Sequence, residues 1–247
     1  MNTRTGMRTL VAIPCFNERA NILRTLDDLR SHAPQVDCLV VDDGSADDTA
    51  AALRAAELSR LTVLRHPVNL GYGCAIQTAA KYALAAGYDT VVFFDGDGQH
   101  SGSDVPIALA VIAEGRADVA IASRFLGTCG YSIPFSRRAG MTVYRGLLRA
   151  MSGLRVTDPT SGFQALDRRA MRICASESFS TAYPDADMLL LYHRAGLTLV
   201  EFPGCFKPRI SGRSMHNSLV SAIHYVYNMS ISMLVVALTP HRPDRVG

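Results

Sequence analysis

The hexapeptide Asp95-Gly96-Asp97-Gly98-Gln99-His100 follows directly on the apolar run Tyr88-Asp89-Thr90-Val91-Val92-Phe93-Phe94. Residues two apart on an extended chain point the same way, roughly 6.5 to 7 Å apart, so Asp95 and Asp97 can address one ligand together. Gly96 and Gly98 leave the backbone room for it. Hard carboxylate oxygens, with Gln99 or His100 close behind, suit Mg²⁺ or Mn²⁺, which take oxygen donors and keep positions open for substrate phosphates. Zinc, which favours nitrogen and sulfur, does not match. The competing reading is a solvated loop in which Asp and Gly only make a turn.

The elements that must position this pair follow from the apolar pattern. Thr9 to Ile13, Cys38 to Val41, Leu61 to Leu64, Thr90 to Phe94 and Val119 to Ala122 have the length and composition of buried strands. Between them, Ile22, Leu23, Leu26 and Leu29 recur at helical spacing. Asp47, Asp48 and Thr49 begin a second helix, and Ala75 to Ala86 and Val105 to Ala113 read as two more. Such alternation predicts an α/β domain with a mainly parallel sheet and helices on both faces. Ligands of these sheets bind beyond the carboxyl ends of the strands. The polar clusters sit at those ends: Asn17 and Glu18, Asp42 and Asp43, Asn69, Asp95 and Asp97, Ser123 and Arg124. A nucleoside diphosphate would use them all, with carboxylates after the second strand accepting hydrogen bonds from base or ribose and Asp95 and Asp97 holding a metal on the phosphates. Asp42-Asp43-Gly44-Ser45 also fits a plain turn leading into a helix cap. Asn69-Leu70-Gly71-Tyr72-Gly73 lacks the third glycine of a dinucleotide loop, which excludes a nicotinamide dehydrogenase.

At 247 residues and 48% apolar content the chain can bury a substantial core. A net charge of +3 gives no case for nucleic acid, although the basic residues concentrate after residue 124. Six scattered cysteines without a CxxC pair predict reduced, buried thiols of a cytosolic protein. Leu10 to Ile13, cut short by Pro14, is no signal peptide or anchor, which places the start of the chain in the cytoplasm.

Taken in order, Pro14-Cys15-Phe16-Asn17-Glu18, Val41-Asp42-Asp43-Gly44-Ser45 with Asp47 and Thr49, Asn69-Leu70-Gly71-Tyr72-Gly73 and Asp95-Gly96-Asp97-Gly98-Gln99-His100 resemble the ordered motifs of family 2 glycosyltransferases, most of all the polyprenol (dolichol) phosphate mannosyl- and glucosyltransferases. Ser123-Arg124 and Asp158-Pro159-Thr160-Ser161-Gly162-Phe163-Gln164 extend the resemblance from about Val11 to about Ser214. It implies a GT-A fold, a nucleoside diphosphate sugar donor of the GDP-mannose or UDP-glucose type, a divalent metal, and inversion at the anomeric carbon. It also implies that Pro14, Phe16 and Glu18 line the nucleoside pocket, that Asp42 or Asp43 binds base or ribose, that Asp95, Asp97 and Gln99 hold the metal diphosphate, and that Arg124 faces the acceptor phosphate or the donor diphosphate. Phe16 stands where the family has tyrosine, and Gly96 where it has alanine.

On the acceptor side, Asp187 opens the apolar helix Met188 to Leu191 where related enzymes place an acid. It is either a base for a hydroxyl acceptor or an acid favoured at a helix N-terminus. Arg137, Arg138, Lys207, Arg209 and Arg213 could bind a lipid phosphate or be solvated surface groups. Met215 replaces a lysine frequent in the polyprenol enzymes.

Residues 1–216 read as the catalytic domain and 217–247 as an apolar tail. Within the tail, Leu219 to Leu238 is interrupted by His224, Asn228 and serines. An interfacial helix on the cytoplasmic leaflet, helped by Arg242 and Arg245, fits better than a full span; packing on the catalytic domain or at a homodimer contact is the alternative. These readings converge on a peripheral, metal-dependent hexosyltransferase acting on polyprenyl phosphate. A sugar-hydroxyl acceptor in cell-envelope glycan synthesis, with Asp187 as base, is second. A noncatalytic scaffold is a distant third.

Overall fold

The computed structural model describes residues 6–127, 135–181, 184–208 and 219–239, with the side chains at 135–137, 139 and 219–226 left out. Seven strands form one sheet in the order β3-β2-β1-β4-β6-β5-β7. They are β1 Thr9–Cys15, β2 Asp37–Asp42, β3 Leu61–Arg65, β4 Thr90–Phe93, β5 Val119–Ser123, β6 Gln164–Asp167 and β7 Leu199–Pro203. The helices are α1 Ile22–His32, α2 Thr49–Ala55, α3 Tyr72–Ala85, α4 Asp104–Ala113, α5 Phe135–Ser152, α6 Arg168–Ala175, α7 Ala186–Arg194 and α8 Leu219–Leu238.

Strand periodicity divides the core. Leu10 and Ala12 of β1 pack with α3, α6 and α7 on one face. Val11 and Ile13, one residue out of phase, pack with α1 and α4 on the other. Burial on both faces explains the near-continuous apolar strands.

The chain runs β1, β2, β3 outward to one edge and then returns to place β4 on the other side of β1. Such a reversal, with the loops after β1 and β4 on either side of it, is where open α/β sheets place their ligand crevice. Pro14 fits here because the pairing of β1 with β4 ends at Ala12 with Phe93, so its missing N–H removes no bond to β4.

The sheet departs from the expected pattern at β6, which runs antiparallel between β4 and β5. It therefore enters from the crevice end and brings Ser161 to Phe163 there.

Candidate active site

Asp95 leaves β4 at the crevice. Its Oδ1 accepts the Tyr72 hydroxyl at 3.1 Å, and its Oδ2 lies 2.8 Å from His100 Nε2. Burial alone would raise this carboxyl, but the His100 ring, the Tyr72 hydroxyl and the charge of Arg124 outweigh it and hold Asp95 below the usual carboxylate range. Burial, followed by the charges of Asp95 and Asp185, pushes Tyr72 far up, so it stays protonated and donates. His100 supports Asp95 from a wall of Phe94, Phe163 and Phe206, whose ring centres lie 5.1–5.5 Å away. A Cβ on Gly162 would come within 2.9 and 3.1 Å of the two Asp95 oxygens, so only glycine lets the chain entering β6 lie against this carboxylate.

Asp97 accepts the Gln99 amide at 3.0 Å, closing a tight turn, while the Gln99 carbonyl accepts the Lys207 amide at 2.7 Å. Among the described residues no cluster of three or more His, Cys, Asp or Glu is arranged around a metal. The protein's own donors are thus two hard carboxylates, one of them held ionised. That set fits Mg²⁺ or Mn²⁺ shared with substrate oxygens and water, and not a closed protein cage.

On the other side of the crevice, Asn17 adopts a left-handed conformation at φ 56°. Its side-chain oxygen accepts the amides of Ala46 and Asp47, and its own amide donates to Ser45 Oγ at 2.9 Å. The loops after β1 and β2 are so joined. Phe16 beside it is 44% exposed, an open ring face. Buried Asp42 accepts the Ser45 amide with Oδ1. Its Oδ2 accepts no hydrogen bond and has only the half-exposed Arg65 guanidinium 3.4 Å away. Asp43 is differently used: Oδ1 pairs with His66 Nδ1 at 2.7 Å and accepts the Leu70 amide, while Oδ2 accepts the Gly71 amide at 2.8 Å.

Comparison with known proteins decides what this crevice belongs to. The glycosyl transferase family 2 pattern matches residues 10–173. The undecaprenyl-phosphate mannosyltransferase of Micrococcus luteus is 37% identical over 84% of this chain and 87% of its own length. The chain belongs to glycosyl transferase family 2 and is a hexosyltransferase. The polyprenol monophosphomannose synthase of Mycolicibacterium smegmatis is 32% identical over 85% of this chain and 82% of that protein. The glucosyl-3-phosphoglycerate synthase of Mycobacterium tuberculosis, solved with Mn²⁺, UDP and phosphoglyceric acid, superposes with a TM-score of 0.71 at 21% identity, covering 97% of this chain and 81% of its own, which establishes the GT-A fold.

Three of the acidic and basic candidates occupy other positions in this glycosyltransferase than their sequence suggests. Arg124 is not an open cation: its side chain is 7% exposed and grips Asp158 through Nε and Nη2, both at 2.6 Å, with Nη2 also donating to the Thr160 carbonyl. Asp43 is spent on His66 and the glycine loop, while the Asp42 oxygen that accepts no hydrogen bond is buried beside Arg65. Asp187 is buried, with Oδ1 accepting the amides of Asp185 and Met188 and Oδ2 the hydroxyl of Ser232 from α8. Burial raises its carboxyl, against the pull of those donors. The acid whose charge reaches Tyr72, Arg124 and Tyr144 is Asp185, two residues earlier.

Pro14 and Glu18 are buried beside Phe16, and Glu18 Oε2 accepts the Asn21 side-chain amide at 2.6 Å. Arg138 is exposed on α5. The Arg137 side chain, Arg209, Arg213, Met215, Arg242 and Arg245 lie outside the described residues. Cys15, Cys38 and Cys174 are buried as expected, whereas Cys74 and Cys205 are only half-buried; all five are free thiols.

α8 packs Met229 and Met233 into the core while Tyr227, Ile231, Leu234, Val235 and Leu238 face outward. Among the described residues no helix is long and apolar enough to cross a membrane.

Proposed function

We propose that this glycosyltransferase moves a hexose, with mannose favoured, from a nucleoside diphosphate sugar to a polyprenyl phosphate with inversion at the anomeric carbon. The observation that carries the reading is Asp95, held by Tyr72 and His100, beside Asp97 at the crevice of a chain 37% identical to an undecaprenyl-phosphate mannosyltransferase.

In this reading Phe16 stacks on the base, between Pro14 and Glu18, and Asp42 Oδ2 accepts from base or ribose. Asp95, Asp97 and the Gln99 side chain would hold Mg²⁺ or Mn²⁺. When bound, the cation supplies positive charge to the departing diphosphate oxygens. Tyr72 and His100 keep Asp95 oriented, and Arg124 acts through Asp158 to position the loop entering β6. The acceptor oxygen attacks the anomeric carbon from the face opposite the diphosphate: a carbon–oxygen bond forms to the acceptor as the bond to the diphosphate breaks. A phosphate monoester is already ionised near neutral pH, so it needs no strong base. Arg137, Arg138, Arg209 and Arg213 would neutralise it. A sugar-hydroxyl acceptor is the second reading, and it would draw on the acidic Asp185, whose charge reaches Tyr72 and Arg124.

The test uses the full chain with Mn²⁺ or Mg²⁺, a panel of radiolabelled nucleotide sugars and a short polyprenyl phosphate. Label entering the lipid phase, lost on chelation, is expected. Donor consumed without lipid labelling would replace this reading with the hydroxyl acceptor.

The division into a catalytic body at 1–216 and a tail at 217–247 carries a second expectation. The outward side chains of α8, with Leu238 at 73% exposure, lie on the cytoplasmic leaflet where the acceptor resides. The protein should float with anionic phospholipid vesicles, and Leu234→Glu with Val235→Glu should release it. Flotation unchanged by the substitutions would refute this seat; a doubled mass in place of flotation would make the face a homodimer contact.

A further inference from the structure

Asp187 accepts hydrogen bonds from three places at once: its own turn through the Asp185 amide at 3.0 Å, the first turn of α7 through the Met188 amide at 2.9 Å, and α8 through Ser232. Ser232 is itself held 3.2 Å from the Ser180 hydroxyl, on the segment leading to this turn. The two amides belong to a helix start, where donors have no partner within the helix and need one supplied. The carboxylate is therefore the joint between the tail helix and the turn that carries Asp185. Thr181, next to Ser180, lies so close to Gly73 that a Cβ there would collide with the Thr181 carbonyl oxygen, and the adjacent Tyr72 donates to Asp95. The charge of Asp185 also acts on Tyr72 and Arg124.

We infer that Asp187 is a positioning residue: through Ser232 it makes the docking of α8 set the conformation of the Asp185 turn, and so couples the tail helix to the crevice. Asp187 does not touch substrate. Both its oxygens are satisfied inside the protein, and it lies at the seam of α7 and α8. The inference goes beyond the proposed reaction and leans on it only for the choice of turnover assay. It also assigns a purpose to a polar pair, Ser232 and Asp187, on a helix that buries Met229 and Met233 in the core; a tail that only covered the core would be better packed with apolar residues there.

The experiment compares wild type, Ser232→Ala and Ser232→Thr as full chains. In Ser232→Ala the amides of Asp185 and Met188 should exchange with solvent about tenfold faster, because the carboxylate loses the donor that fixes it. Amides of β1 and β4 should be unchanged. Turnover should fall about tenfold with the KM for donor within about twofold, and Ser232→Thr, which keeps the hydroxyl, should restore both. Unchanged exchange at Asp185 and Met188 would overturn the inference. So would acceleration spread evenly over the core strands, which would mark a general loss of stability. Amide exchange decides the matter even if wild type labels no lipid, an outcome that would count only against the polyprenyl phosphate reading.

Discussion

Asp97→Ala is expected to reduce metal-dependent sugar transfer about 10³-fold, roughly 4 kcal/mol of barrier, while leaving the fold intact. Asp97 is half-buried and accepts the Gln99 amide within its own turn. Asp95, in contrast, is gripped by Tyr72 and His100, so its replacement would disturb packing as well as chemistry. Loss at Asp97 thus reports on the ligand it shares with Asp95. Asp97→Asn keeps an oxygen but drops the charge, and should fall between wild type and alanine. The measurement is the initial rate of transfer at saturating Mn²⁺, set beside the thermal unfolding midpoint. A rate within threefold of wild type would end the assignment of Asp97 to the cation.

Asp158→Ala is expected to cost about 3–5 kcal/mol of folding stability, a fall in unfolding midpoint of roughly 6–20 °C. The Arg124 guanidinium would be left charged and nearly solvent-free, with its two 2.6 Å bonds to the carboxylate gone. The damage would spread, because Glu201 on β7 accepts the Asp158 amide at 2.8 Å and both the amide and hydroxyl of Thr157. Removing both charges should hurt less than removing one: Arg124→Met with Asp158→Ala should recover part of the loss. Denaturant unfolding monitored by circular dichroism checks both. A cost below about 1 kcal/mol for Asp158→Ala would mean that the pair is effectively solvated.

The strands through β5 and the crevice at their ends were legible because apolar runs ending in polar residues are a local signal. The span Leu219 to Leu238 emerged with the same bounds as α8. β6 was hidden: it is four residues long, and nothing in Gln164-Ala165-Leu166-Asp167 reveals an antiparallel direction. Side-chain partners were not legible where they are distant in sequence. Arg124 reads as an available cation until Asp158 is brought beside it from 34 residues away, and Asp43 as a ligand acid until His66 arrives from 23. At Asp187 sequence left a base and a helix-start acid as alternatives, and the hydroxyl that Asp187 accepts comes from α8, 45 residues away. Asp185 was passed over because burial, which separates the two neighbouring acids, leaves no mark on sequence.

The family match ends at residue 173, yet the crevice is not complete there. The ring of Phe206 closes against His100, the Lys207 amide holds the Gln99 carbonyl, and Glu201 ties down the loop bearing Asp158. A minimal fragment cut at the conserved segment would carry every motif and still lack the outer scaffolding of its cation pair. A piece worth expressing therefore runs past Lys207 and keeps α8, whose Ser232 holds Asp187, and grafts between relatives should exchange the stretch from Leu199 to Lys207 together with the motifs it braces.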